Sequence, residues 1–227
     1  MLIKIGLWAN LSTPVVGSVT YGGVACTELV THVPAAADSF FAAIYYIKEA
    51  SLPANGANDA VVTWSNIDTF TNEKAVVVGC RSGVEQTTTW RDNDETGGAS
   101  GTAPSLTLTT VAGDWVEACL GQYTGTPSTS DTEDTHAVGA GGFMDCYSSH
   151  EVATGTSTTV AWTITSQEHA FVAGTLIAES AGGGGPEAGS GGWGWPRWLG
   201  TTVDAVGGAA QSGLYYIIRR RREGKPH

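Results

Sequence analysis

Short apolar runs with turn residues between them recur through the first 180 residues. They are typical of β-strands, whose side chains point alternately to two faces. Leu106 and Leu108 alternate with threonines, whereas Lys74–Arg81 is nearly continuous and indicates a strand buried on both faces. About ten such runs occur, at Leu2–Trp8, Ser18–Tyr21, Val24–Val30, Phe40–Lys48, Asp59–Trp64, Lys74–Arg81, Ser105–Thr109, Asp114–Tyr123, Thr158–Thr165 and His169–Ala178. They predict an all-β fold, a two-sheet antiparallel β-sandwich.

Two segments fit this pattern less directly. Phe40–Glu49 has enough apolar residues for a helix, but its Ile44-Tyr45-Tyr46-Ile47 run favours a strand by β-propensity. Residues 124–157 form the longest polar stretch, and we expect a long surface excursion there.

The chemistry of the chain changes near residue 180. Residues 1–180 hold 5 Lys/Arg and 19 Asp/Glu (net −14), whereas residues 181–227 hold 6 and 3 (net +3). We expect a β-sandwich domain at 1–180, a Gly-rich linker at 181–192 and a C-terminal tail at 193–227. Because so acidic a sandwich repels phosphate, it is not expected to bind nucleic acid. The basic tail suits an acidic protein surface or a neighbouring copy.

The tail carries large aromatic and basic side chains. Exposed aromatics are costly unless a partner covers them, and Trp and Arg are enriched at binding hot spots. We therefore predict a docking tail; a disordered tail and a membrane-anchoring signal remain alternatives. Asp204, Gln211 and the glycines argue against insertion, and the sequence has no apolar run long enough for a membrane span. The predicted docking residues are Trp193, Trp195, Trp198, Tyr215, Tyr216, Ile217, Ile218, Arg219, Arg220, Arg221 and Arg222.

Motifs for catalysis, metals and cofactors are missing or incomplete. His150-Glu151 begins like a zinc-protease motif, but Thr154 stands where the second histidine is needed. Asp92–Gly97 resembles half a calcium loop without its closing glutamate, and we expect a solvated loop there and at Asp131–Asp134. The sequence therefore predicts no catalytic residues, no metal site and no cofactor, and the protein is not expected to be an enzyme.

Trp90 stands beside the polar run Arg91–Glu95 and gives the one sequence hint of a sugar site. An exposed indole ring there could stack on a sugar, with Arg91 and Asp92 as further glycan contacts. The four cysteines have no zinc spacing, and we expect unpaired thiols packed as small hydrophobes, with one disulfide still open. The first residues lack the apolar core of a signal peptide, so secretion by that route is not expected.

Several of these runs also resemble a known module. Val19–Thr27 (VTYGGVACT) looks like the "TYGGVAMT" signature of a β-sandwich module found in bacteriophage virion proteins and bacterial surface proteins. Further pieces resemble the module in order. They are Ile44-Tyr45-Tyr46 ("IWYL"), Ala60–Thr63 ("TVTVT"), Gly83–Thr88 ("GVDQTTP"), Gly113–Val116 ("GDLVV"), and the pair Val160–Thr163 and Ala170–Ala173 (the closing strands).

The resemblance covers roughly residues 1–178 and implies a jelly-roll-like sandwich with a display or assembly role and no catalytic residues. The expected protein is thus a bacteriophage virion component on the capsid, neck or tail, assembled in the host cytoplasm. Its expected partners are other virion subunits and copies of itself. The alternative is a host-recognition adhesin or fibre head binding cell-surface glycans. The module usually has an extra strand before Leu2, and the Trp/Arg tail is not part of its pattern.

Overall fold

The computed structural model describes residues 1–9, 13–34, 39–53, 58–65, 73–139 and 142–179. The predicted linker and tail, with every docking residue from Trp193 to Arg222, lie outside this part. Within it the chain is all-β, as predicted, and its helical structure is a 3₁₀ turn at Glu49–Ser51. Among these residues no helix has the length and apolar character needed to cross a membrane.

Fifteen strands fall within the described ranges. In chain order they are β1 (Leu2–Ala9), β2 (Val15–Tyr21), β3 (Val24–Ala25), β4 (Thr27–His32), β5 (Ser39–Tyr46), β6 (Ala60–Ser65), β7 (Glu73–Gly79), β8 (Trp90–Gly101), β9 (Ser105–Thr109), β10 (Trp115–Tyr123), β11 (Ser128–Thr129), β12 (Thr132–Val138), β13 (Met144–Val152), β14 (Ser157–Thr163) and β15 (Gln167–Leu176).

The strands form four antiparallel sheets. The first central sheet has the order β4-β5-β1-β7, and the second central sheet has the order β12-β13-β10-β15-β8. The first outer sheet is β3-β2-β6, and the second outer sheet is β11-β14-β9. Gly22 and Gly23, both with positive φ, make the tight turn between β2 and β3.

Three apolar clusters separate these sheets into layers. Ile3 and Ile5 of the first central sheet pack with Val62 of the first outer sheet. Ala42 and Ile44 pack with Cys119 and Val172 between the two central sheets. Leu120 and Phe171 pack with Leu108 and Trp162 of the second outer sheet. The central sheets are thus apolar on both faces, which explains the nearly continuous apolar runs, and an outer sheet covers each one.

Two predictions about irregular segments were wrong. Residues 124–157 are not a surface excursion, because they contain β11, β12 and β13, and β13 lies between β12 and β10 with six residues buried. The predicted loop at Asp92–Glu95 is the middle of β8, paired with β15. Most polar side chains of the two segments are compatible with strands because they find hydrogen-bond partners or face solvent; the buried oxygens of Asp131 and Ser149 are exceptions. Phe40–Glu49 resolves as predicted, since β5 covers most of it.

The four cysteines are free. Cys119 and Cys146 are fully buried between the central sheets, as expected of thiols that pack as small hydrophobes, and their Sγ atoms lie 3.4 Å apart. The contact with Cys119, together with burial, holds the pKa of the Cys146 thiol well above its usual value. Cys26 is half-buried and Cys80 is exposed.

Candidate functional site

The predicted glycan contacts Trp90, Arg91 and Asp92 lie at the start of β8, and each of them makes a contact within the sandwich. The half-buried Trp90 ring packs edge-on against Tyr46, with ring centroids 5.5 Å apart. The Arg91 guanidinium pairs with Asp114 at 2.7 Å. The Asp92 carboxylate accepts a hydrogen bond from the Thr109 backbone N–H at 2.7 Å. Sugar binding at these residues stays a prediction, but the indole ring is not the freely exposed one that we expected.

The largest group of buried charges lies elsewhere, between the two central sheets. We call it the charged cluster, and it consists of Lys4, Arg81, Glu117, Asp134 and His150. Their side chains are between 0% and 13% exposed, so the cluster is almost closed to solvent. It joins five places in the chain: β1, the residues after β7, β10, β12 and β13.

The strand periods bring these side chains together. On β1, Ile3 and Ile5 face the first outer sheet, so Lys4 between them faces the second central sheet. On β10, Val116 and Ala118 face the second outer sheet, so Glu117 faces the opposite way, toward Lys4. On β12 the pairing register shifts around Asp134, and this bulge turns its carboxylate inward.

The contacts form a closed network. The Lys4 ammonium lies 2.9 Å from the Glu117 carboxylate and 3.7 Å from Asp134. The Arg81 guanidinium donates through Nη2 to both Asp134 oxygens, at 3.1 and 3.3 Å, and through Nε to Glu117. His150 pairs with Asp134 through Nδ1. Two cations and two carboxylates thus balance, with an imidazole at the margin.

Asp134 is the centre of this network. Burial by itself would raise the pKa of its carboxyl group. The hydrogen bond with His150 and the charges of Lys4 and Arg81 outweigh burial, and the pKa lies below its ordinary value. The Trp115 ring covers the cluster, with the Arg81 guanidinium carbon 5.1 Å from its centroid.

The cluster contains groups known from catalysis, but their arrangement favours a structural role. Lys4 donates to the Ser148 hydroxyl at 2.6 Å, and Ser148 donates to Asp134 at 3.1 Å. A serine paired with a lysine can act as a nucleophile when the amine accepts the proton. Here the Lys4 ammonium forms an ion pair with Glu117, and Ser148 is only 1% exposed. A substrate therefore has no access to the serine hydroxyl, and the network stabilises the fold. A small cleft beside it has room for about one water molecule.

Sequence reasoning missed this cluster, and one earlier expectation was wrong. Asp131–Asp134 is not a solvated acidic loop, because the side chains of Asp131 and Asp134 are buried. His150 is held by Asp134 and lies on a strand next to the sheet edge. The available signal was a charge inside an apolar run, Lys4 between isoleucines and Glu117 between Val116 and Ala118. Opposite buried charges of this kind usually pair.

A buried carboxylate outside the charged cluster, that of Glu73, anchors the start of β13. Glu73, at the start of β7, accepts the backbone N–H groups of Phe143 at 2.6 Å and Met144 at 2.8 Å. Its neighbour Lys74 faces the first outer sheet with Val76, and burial lowers the pKa of Lys74 to about 8. Both charges occupy the first two positions of β7.

Across the described residues, no three His, Cys, Asp or Glu side chains converge in a way that could hold a metal ion. Comparison with known proteins found no matching family, no matching curated protein and no matching solved structure.

Proposed function

We propose that this protein is a bacteriophage virion structural component, displayed on the particle through its β-sandwich and attached through its C-terminal tail. The observation that carries the proposal is the division of the chain into two chemically different parts. The described part of the sandwich reaches residue 179, and residues 193–227 hold three of the eight tryptophans and five arginines. Such a segment has the composition of a binding hot spot rather than of a linker.

The fold supports a display role because its polar residues stabilise it internally. The charged cluster ties β1 and the residues after β7 on one central sheet to β10, β12 and β13 of the other. The outer sheets add a layer on each side. A module built this way presents a fixed surface, and the acidic excess keeps neighbouring sandwiches apart in a crowded array.

The last described residues are anchored to the sandwich. Ala178 forms a β-bridge with Val84, and the Glu179 N–H donates to the Gly83 carbonyl at 2.8 Å. The predicted Gly-rich linker, 181–192, has 12 residues, and a Gly-rich coil of that length has an end-to-end distance of about 20 Å. We propose that the tail binds a capsid, neck or tail subunit within that distance, and that many copies add avidity.

The test compares particles carrying the full chain with particles carrying a chain that ends at residue 182. We expect the full chain to sediment with purified particles in many copies and the truncated chain to stay in the supernatant. A matched variant replaces Trp193, Trp195 and Trp198 by alanine and keeps the charge, which separates the aromatic from the electrostatic contribution. Full retention of the truncated chain would contradict the docking role and leave the glycan-binding alternative.

A further inference from the structure

One face of the β12–β13 pair is unusually acidic. On β13, His150 faces the charged cluster, so its neighbour Glu151 faces the opposite side of the sheet. Tyr147 faces the same side as Glu151, because it packs in the apolar core under the second outer sheet. Thr132 pairs with His150 and Glu133 with Ser149. Asp131 therefore lies opposite Glu151, and like charges directly opposite each other destabilise a strand pair.

Buried oxygens without partners lie on this face. Asp131 is 8% exposed, and neither of its carboxylate oxygens has a hydrogen-bond partner at normal geometry among the described residues. Ser149 is 0% exposed, and its hydroxyl is likewise unpartnered there. An ionised carboxylate buried without a partner is costly, and native proteins satisfy such groups with water or an ion.

The neighbouring basic side chains do not compensate this charge. Lys4 and Arg81 lie on the other face of the sheet, where they contact Ser148, Glu117 and Asp134. His136 also lies on this face, where its ring stacks on Tyr147. The side chains of Asp131, Ser149 and Glu151 offer only oxygen atoms, which bind hard cations such as Ca²⁺ and Mg²⁺ in preference to Zn²⁺.

We propose that Asp131 and Glu151 bind a divalent cation of the Ca²⁺ type, with the Ser149 hydroxyl and water available to complete its coordination. The site stands apart from the attachment role proposed above. It ties the turn between β11 and β12 to β13, and so secures the second outer sheet to the sandwich. Because two carboxylates supply all the protein charge, we expect weak binding, with Kd of about 10⁻⁴ to 10⁻³ M.

The test measures the thermal midpoint of the full chain at pH 7.5, after treatment with a chelator and its removal. We expect 10 mM CaCl₂ (a concentration on the order of 10 to 100 times Kd) to raise Tm by roughly 3 to 8 °C over NaCl of equal ionic strength. Asp131→Asn should abolish this rise. The matched control Asp94→Asn should keep this rise, because Asp94 lies on the edge strand β8, away from Asp131 and Glu151.

A second measurement does not depend on stability. Tb³⁺, which occupies Ca²⁺ sites, should luminesce on excitation of Tyr147 and Trp162, which pack beside each other under the second outer sheet. Ca²⁺ should compete, and Glu151→Gln should lose the signal even if Asp131→Asn fails to fold. An equal Ca²⁺ effect in Asp131→Asn and Asp94→Asn would overturn the proposal as general charge screening. So would a Tm that rises on acidification to pH 5.5 without responding to Ca²⁺, because the pair would then hold a proton.

Discussion

The two sides of the sandwich close the gap between the central sheets in different ways. On one side, where β7 and β12 are the edge strands, five charged or titratable side chains form a network almost closed to solvent. On the other side, where β4 and β8 are the edge strands, His32 pairs with Glu95, whose side chain is 46% exposed. The imidazole of His32 also lies against Gly97 of β8.

The difference in burial sets what each arrangement contributes. An exposed ion pair adds about 0 to 1 kcal/mol, since water screens it. Removing one member of a buried network leaves an uncompensated charge, which costs about 3 to 5 kcal/mol. The cluster side should therefore govern the stability of the sandwich, and the β4–β8 side should tolerate substitution.

The β8 edge also shows how an exposed strand avoids further pairing. The carboxylates of Asp92 and Asp94 accept the N–H groups of the residues that follow them, Asn93 at 2.9 Å and Glu95 at 2.8 Å. The backbone N–H groups of Asn93 and Glu95 therefore already have partners, and the carboxylate charges disfavour pairing of another strand with this edge. On the other edge strand, β12, the bulge at Asp134 also interrupts the regular pattern to which another strand could pair.

The largest effect is expected from Asp134→Asn. The amide keeps the shape of the side chain but leaves Lys4 and Arg81 with one carboxylate, Glu117, for two positive charges. We expect the free energy of unfolding to fall by about 3 to 5 kcal/mol, measured by urea denaturation at pH 7. A loss below about 1 kcal/mol would show that the two sides do not differ as described.

The next effect concerns acid. Because the pKa of Asp134 is lowered in the folded state, its contribution is complete above the ordinary pKa of about 4 and is lost as pH falls through the folded-state value. Asp131 acts in the opposite sense. Burial, reinforced by the charge of Glu151, raises its pKa to about 6, so its ionised form lowers stability above that pH.

In chelator, stability should therefore rise from pH 7 to about pH 5 and then fall steeply below pH 4. In Asp134→Asn the fall below pH 4 should be shallower, whereas Asp131→Asn should lose the rise. Urea midpoints measured at each pH for the three proteins test both signs. If the stability of Asp134→Asn falls as steeply below pH 4 as that of the unchanged protein, Asp134 does not cause the acid sensitivity.

A smaller effect is expected from Gly97→Ala on the opposite side. A Cβ atom there would overlap the His32 ring, which must move away from Glu95. The ring is at the end of a flexible side chain, so we expect a cost of about 1 kcal/mol. Gly98→Ala is the matched control, because a Cβ at Gly98 meets no atom within 4 Å.

The smallest effect is expected from Glu95→Gln, which removes the charge of the exposed pair and keeps its shape. The free energy of unfolding should change by less than about 1 kcal/mol, and any change should vanish in 0.5 M salt (a Debye length of roughly 4 Å). A loss as large as that of Asp134→Asn would mean that the two sides are equivalent.

Much of the fold could be predicted because strand periodicity is a local property. Alternation placed β9 and β14, and the continuous run at β7 correctly indicated burial on both faces. The pattern failed at β13, where Asp145, Ser148 and Ser149 make a buried strand look like a loop. Polar residues are compatible with a core strand when partners from distant segments meet them, and those partners cannot be identified from the strand itself.

The sequence by itself determined that the described chain is an all-β sandwich with an acidic body, since both follow from side-chain alternation and charge, which need no knowledge of neighbours. The tertiary structure decided which charges are buried and which are not. Asp134 and Asp94 have the same side chain on edge strands of the same sheet, yet one is enclosed by Lys4 and Arg81 and the other faces solvent. The reason is that burial and electrostatic partners depend on strand order and bulges, which bring together residues more than a hundred positions apart.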